Sequence, residues 1–280
     1  MRLISTLIVV LVWAGDVYAQ QRPLVTEDPE TVGAGRVLVE AGLDYVRDVT
    51  FPASGLNGNL LRFPLIGFSV GLSSIAELQI DGGLYNRLSI AERRPAPLAF
   101  MAVDATGATT SDVEDIVVAT KIRIVPEGVM RPSFGVRFAT KLPNASNESG
   151  LGLDTTDFHA ILLVAKTVQS VRVVGNAGLG ILGDPTRGDR QNDVLDYGLS
   201  LARALTTGTE VVGEVNGRAH VRGGVAPVGT ESRGALRFGA RYTQNLVRLD
   251  GAIIVGLTSR DPAFGITVGL TYVFNAFRVP

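Results

Sequence analysis

The 280-residue chain contains no cysteine, which excludes disulfide frameworks, thiol catalysis and cysteine-based metal sites. Histidine is nearly missing as well. His159 and His220 are the only two; they make a poor metal site without a third ligand, and no Ser/His/acid set is readable beside them. No metal, cofactor or catalytic residue is therefore assigned, and the chain reads as a non-enzyme. Neither sign of charge dominates, with 26 basic against 27 acidic side chains, so no basic field points to nucleic acid. Past the N-terminal leader no window holds about 18 consecutive apolar residues, so no transmembrane helix is readable. Disorder is excluded from the other side, because 46% of the residues are hydrophobic and only 19% charged.

The N-terminus supplies a compartment. Met1-Arg2 gives a positive start, Leu3 to Ala14 a short apolar run, and Val17-Tyr18-Ala19 the small-x-small pattern read by a signal peptidase. Residues 1–19 are thus expected to be a signal peptide cleaved after Ala19. An exported chain that is apolar yet lacks membrane helices leaves two classes, a secreted or periplasmic β-protein and an outer-membrane β-barrel.

Periodicity favours the barrel. After Gly35 the sequence falls into runs of about 10 to 13 residues with period-2 patterning, the length that a tilted membrane strand needs. In the last run Phe264, Ile266, Val268, Leu270, Tyr272 and Phe274 alternate with Gly265, Thr267, Gly269 and Thr271. Twelve strands are expected, at 36–46, 59–71, 74–87, 113–125, 130–142, 155–168, 170–182, 193–205, 209–221, 234–244, 247–258 and 264–274. Pro64, which lacks an N–H, marks a bulge or register change in the second. Long and short connectors alternate, as barrels with short periplasmic turns and long extracellular loops require; 47–58 and 88–112 are expected among the long ones. Lys166 and Arg203 are the exceptions to a rule that strand charges occupy the polar row, and both sit near the turn end. Apolar-row aromatics form two bands, Tyr45, Phe158, Tyr197 and Phe264 toward the loops, Phe134, Tyr242, Tyr272 and Phe274 toward the turns. The expected fold is all-β: a transmembrane antiparallel up-and-down β-barrel of about 12 strands.

The polar row would then line the lumen. Its candidate lining residues are Lys121, Arg123, Arg137, Glu214, Arg218, Arg237, Arg241 and Asp250. Two uses of such a row are open: an ionic lattice that braces a closed barrel, or a wet pore whose charges tune permeation. If 245–246 is a two-residue turn, Arg241 lies opposite Asp250. The G-x-G-x-x-G pattern at Gly178, Gly180 and Gly183 is discounted as a nucleotide loop because it lies within a strand and Asp184-Pro185 follows.

Three stretches resemble a known family. They are Arg22-Pro-Leu-Val-Thr-Glu-Asp-Pro-Glu-Thr-Val-Gly-Ala-Gly35, then Lys141-Leu-Pro143 with Gly150-Leu-Gly-Leu-Asp-Thr-Thr-Asp157, then Asn176-Ala-Gly-Leu-Gly180 through Asp196-Tyr-Gly-Leu199 to Glu214-Val-Asn-Gly217. They make the chain similar to the outer-membrane proteins of the Putative MetA-pathway of phenol degradation family. The resemblance implies a channel or transporter for small, hydrophobic or aromatic solutes, and it brings no catalytic residues. The resulting organisation is a signal peptide at 1–19, a periplasmic lead or partial plug at 20–34, a barrel at 35–274 and a tail at 275–280. Expected partners are outer-membrane lipids, the barrel assembly machinery of a Gram-negative cell and a small-molecule solute. The competing expectation is a closed structural or surface-interaction barrel without transport.

Overall fold

The computed structural model describes residues 22–100 and 103–278. The expected leader, residues 1–19, with its cleavage site lies outside the described residues. Alternating sequence folds into strands β1 (Arg36–Phe51), β2 (Leu56–Gly71), β3 (Ala76–Gly83), β4 (Asn86–Arg93), β5 (Thr109–Asp112), β6 (Val117–Val125) and β7 (Ser133–Lys141). The series continues with β8 (Asp157–Val168), β9 (Val171–Gly183), β10 (Gln191–Ala204), β11 (Thr209–His220), β12 (Arg233–Gln244), β13 (Val247–Gly256) and β14 (Phe264–Asn275). Every pairing is antiparallel; apart from β2–β4 and β3–β6 the partners are consecutive along the chain, and β14 closes on β1. Among the described residues no helix is long and apolar enough to cross a membrane, which says nothing of strands.

Fourteen segments make a closed barrel of twelve strands, because two staves are interrupted. β3 and β4 both pair with β2 in one continuous register, Leu65 facing Gly83 and Arg62 facing Asn86. β5 and β6 likewise form one stave against them, split at 113–116. The expected irregularity at Pro64 is a bulge: between the pairs Gly42–Leu65 and Asp44–Arg62, Leu43 alone faces Phe63 and Pro64. A second bulge of opposite sense follows, where Arg47 and Asp48 face Asn59 alone and Asp48 takes φ 56°. The two offset each other, so the pairing beyond them regains its original register.

Two long connectors are shorter than the sequence suggests. β1 and β2 run on, leaving only 52–55 between them, and the expected 88–112 connector contracts to 94–108. The reason is chemical. The outward face of β4 carries Arg87 and Ser89, and β5 is Thr109-Thr110-Ser111-Asp112, so the outward row loses the apolar residues that would mark a membrane strand. The remaining long connectors, 142–156, 184–190, 221–232 and 257–263, share the end occupied by 52–55 and 94–108.

The two rows separate by polarity. Phe238 and Val268 on the outward row are 64% and 51% exposed, so no second sheet covers them. Inward lie Glu40, Asp44, Glu77, Lys121, Glu214, Arg241 and Asp250, all buried. Lys166 stands on the outward row at the turn end, where its Nζ donates to the carbonyls of Gly128 and Val129 at 2.7 and 3.0 Å. The aromatic bands are less clean than expected: Phe138 and Phe238 are also exposed on the outward row, at mid-strand, while Phe68 joins the turn-end band beside Val39, as does Tyr272. The inward row is also not polar throughout. Val46, Val49, Leu56, Leu60, Leu88 and Ile254 form an apolar cluster at the loop end, packed against Ala105 and Leu151 from the loops.

Candidate functional site

The residues just ahead of β1, 22–34, contain two prolines and three carboxylates. Pro23 and Pro29 lack N–H groups, so the stretch is poorly suited to helix or ladder. Its remaining amides still need acceptors once buried, and the inner row supplies them. The amides of Val25 and Thr26 donate to the Glu214 carboxylate at 2.8 Å. Asn176 accepts from the Glu27 amide at 2.7 Å and donates back to the Glu27 carbonyl at 2.8 Å. The Val32 amide donates to Glu77 at 2.7 Å.

Charge pairing follows the same path around the wall. Glu30 pairs with Arg123 on β6. Asp28 pairs with Arg172 on β9 at 2.7 Å. Glu27 reaches Lys121 at 3.3 Å and Arg137 at 3.0 Å. At the far end Arg22 donates to Thr267 and to the Val268 carbonyl on β14 at 2.8 and 2.9 Å, with Asp250 on β13 at 3.7 Å and Asp44 on β1 at 4.0 Å. From Val32 back to Arg22 the chain thus touches β3, β6, β9, β11, β13, β14 and β1 in turn. It makes nearly a full circuit of the inner wall, toward the end that carries the short turns.

Room for Arg22 comes from a glycine pair. Gly42 and Gly269 face each other across the β1–β14 seam, and a Cβ on Gly269 would lie 2.9 Å from the Arg22 guanidinium carbon; at Gly42 it would overlap that group. Gly42→Val should therefore unseat Arg22. Since the chain has no cysteine, a Leu24→Cys thiol would be unique, and Leu24 is buried. We expect it to react about ten-fold faster with a membrane-impermeant maleimide in the Gly42→Val background, as local opening exposes it; equal rates would contradict the seating of Arg22 over the glycine pair.

Of the eight residues expected to line the lumen, seven lie in or beside this arrangement. Lys121 is fully buried between Glu77 at 2.9 Å and Glu27. Arg237 pairs with Glu214 at 2.9 Å. Arg241 faces Asp250 in register, as the turn length predicts, while its Nε donates to the Arg22 carbonyl at 2.8 Å and its Nη1 lies 3.9 Å from Glu210. Arg218 stands apart, near the loop end, donating to the Glu231 and Gly229 carbonyls at 3.0 and 2.8 Å. Arg62 and Glu114 were not singled out from sequence; Arg62 joins Asp44 at 2.9 Å to Glu114 at 3.1 Å, and the bulge beside it hides its row.

Above residues 22–27 lies a cavity of about 630 Å³. Leu24 to Glu27 form part of its lining, with Leu65, Val117 and Ile161 among the wall residues and Arg218 and Arg233 on β11 and β12. His159 lines it as well, its Nδ1 2.7 Å from Asp196. Among the described residues no group of three or more His, Asp or Glu could hold a metal ion.

A family model described as Putative MetA-pathway of phenol degradation matches residues 20–274. The chain belongs to this family. Two of the three stretches that carry the family resemblance meet inside the barrel, since Arg22 to Gly35 is held by Asn176 and Glu214. In the third stretch Tyr197 faces Gly217 across β10 and β11, where its hydroxyl covers Gly217 and Gly234. No curated protein matches the chain. Among solved structures it is similar to the translocator domain of autotransporter NalP from Neisseria meningitidis, at 13% identity and TM-score 0.47, covering 86% of this chain and 89% of that one. It is also similar to the outer-membrane channel DcaP of Acinetobacter baumannii, at 11% identity and TM-score 0.44 over 85% and 96% of the two chains. The P. putida toluene transporter TodX gives 11% identity and TM-score 0.39 over 88% and 90%.

Proposed function

We propose that the chain is an outer-membrane channel for small solutes, narrowed at its turn end by residues 22–34. One observation carries the reading: a closed barrel with an exposed apolar outward row holds a cavity of about 630 Å³ whose lining combines charged groups with apolar side chains. Apolar side chains exposed around a cylinder suit acyl chains, and backbone ladders closed on themselves suit hydrocarbon. In this reading the leader directs export, the barrel assembly machinery inserts the chain, and the short turns and both termini face the periplasm. The protein performs no chemistry on its cargo. The family's description, a phenol-degradation pathway, supports an aromatic or otherwise hydrophobic solute.

Ion and solute flux test this reading. Protein lacking residues 1–19, refolded into planar bilayers and liposomes, should give discrete current steps in KCl and let small aromatic solutes equilibrate. A barrel that inserts, shown by faster electrophoretic mobility unheated than boiled, yet passes neither current nor solute would be sealed, and the proposal would fall.

A further inference from the structure

Apart from Arg22, Arg241 and Arg248 toward the turn end, the arginines of the lumen divide into two groups. Arg62, Arg137, Arg172 and Arg237 each have a carboxylate oxygen within 3.0 Å, and Arg123 pairs closely with Glu30. Arg218 and Arg233 differ. They face each other directly across β11 and β12, although like charges in that position repel. Main-chain carbonyls hold both: Glu231 and Gly229 accept from Arg218, Arg260 and Thr50 from Arg233 at 2.9 and 3.0 Å. Among the described residues no carboxylate reaches ion-pair distance of Arg218, and the nearest to Arg233, Asp261, is 4.0 Å away.

Three of the acids around the pair are committed elsewhere, and the fourth, Glu231, lies nearest Arg260. Asp157 lies 3.3 Å from Lys141 and Asp196 2.7 Å from His159. Asp261 accepts from the Gly234 amide at 2.9 Å and from Thr258, and Glu231 lies 3.8 Å from Arg260. Carbonyl ligands fix a guanidinium in place without neutralising it, so the two side chains keep a local positive field at one wall of the cavity. Leu24 on the floor, with Leu65, Val117 and Ile161 on β2, β6 and β8, presents hydrocarbon to the same space.

We propose that Arg218 and Arg233 form a binding site for a small organic anion, with one carboxylate between the two guanidiniums and an apolar body against Leu65, Val117 and Ile161. Two convergent forks suit a planar carboxylate. The site rests on the reading of the lumen as a solute path and names the cargo class more narrowly, as aromatic or aliphatic acids rather than neutral hydrocarbons.

Benzoate and benzyl alcohol are suitable probes, alike in body and different in charge. Saturation-transfer NMR on the micelle-solubilised full barrel should show saturable benzoate binding, weakened roughly ten-fold for each arginine replaced in Arg218→Gln and Arg233→Gln, as loss of a charge-assisted hydrogen bond predicts. Benzyl alcohol should bind weakly and respond to neither change. If the double variant does not fold, each single variant gives the same readout. Equal benzoate binding by wild type and variants, or equal binding of the alcohol, would overturn the site. A barrel that conducts KCl but ignores benzoate leaves the channel standing and removes the site; one that binds benzoate but never conducts supports the site and removes the channel.

Discussion

Deleting residues 22–34 should raise single-channel conductance about five-fold and shift the pore toward anions, because lumen width and lining charge set conduction and selectivity. The size of the effect follows from geometry. A barrel of about eight strands is filled by its own side chains, whereas sixteen or more leave an aqueous channel; twelve staves fall between, so one inserted segment decides whether water runs through. The sign of the selectivity change follows from charge. The segment carries Glu27, Asp28 and Glu30 against Arg22, a net two negative charges, and its removal uncovers Lys121, Arg123, Arg137 and Arg172. Conductance and reversal potential in asymmetric KCl measure both. Unchanged values would mean that the segment does not occupy the conducting path.

Lys121→Ala should be the most destabilising single change in the lumen, at about 3–5 kcal/mol, the cost of leaving a buried charge without its partner. Its ammonium is enclosed between Glu77 and Glu27, and Glu77 also accepts from Gln79 at 2.9 Å and from the Val32 amide. Loss of the cation would leave two carboxylates facing each other with Arg137 beside only one of them. Urea unfolding in micelles, followed by the mobility difference between boiled and unboiled protein, reads the effect. Lys121→Met combined with Glu77→Gln should recover most of it, since a neutral pair removes the unmatched charge. A loss below about 1 kcal/mol for Lys121→Ala would show that water reaches and solvates the pair.

The staves were legible wherever one face was apolar. From β7 to β14 the strand ends lie close to those that alternation predicts, and Arg241 opposite Asp250 follows from turn length alone. Where the outward face turns polar, as in β4 and β5, the period vanishes and the strands read as loop. The part of the apolar inner cluster around Leu60 and Ile254 escaped for a related reason: beside Leu61 and beside Ile253 and Val255, hydrophobic residues occupy both faces, and alternation cannot say which face is inside. The inner charges could be placed on a row, but the partners that Lys121, Arg123, Arg137 and Arg172 find in Glu27, Asp28 and Glu30 were hidden, because residues 22–34 have no periodicity. Besides the family resemblance, the signal of that stretch is composition, Glu27-Asp28-Pro29-Glu30 ahead of a barrel whose basic residues are nearly all Arg.

Arg22 sits over the line where the first and last strands join. It bonds to Thr267 and Val268 on β14 and lies beside Asp44 on β1, so its resting place does not exist until those strands have met. The order of events during insertion is thereby constrained: the cylinder must shut before the circuit of residues 22–34 can finish, and the guanidinium then fastens the join from within. Protection of Leu24 is for that reason also a clock for maturation, lagging the appearance of the heat-resistant form rather than leading it.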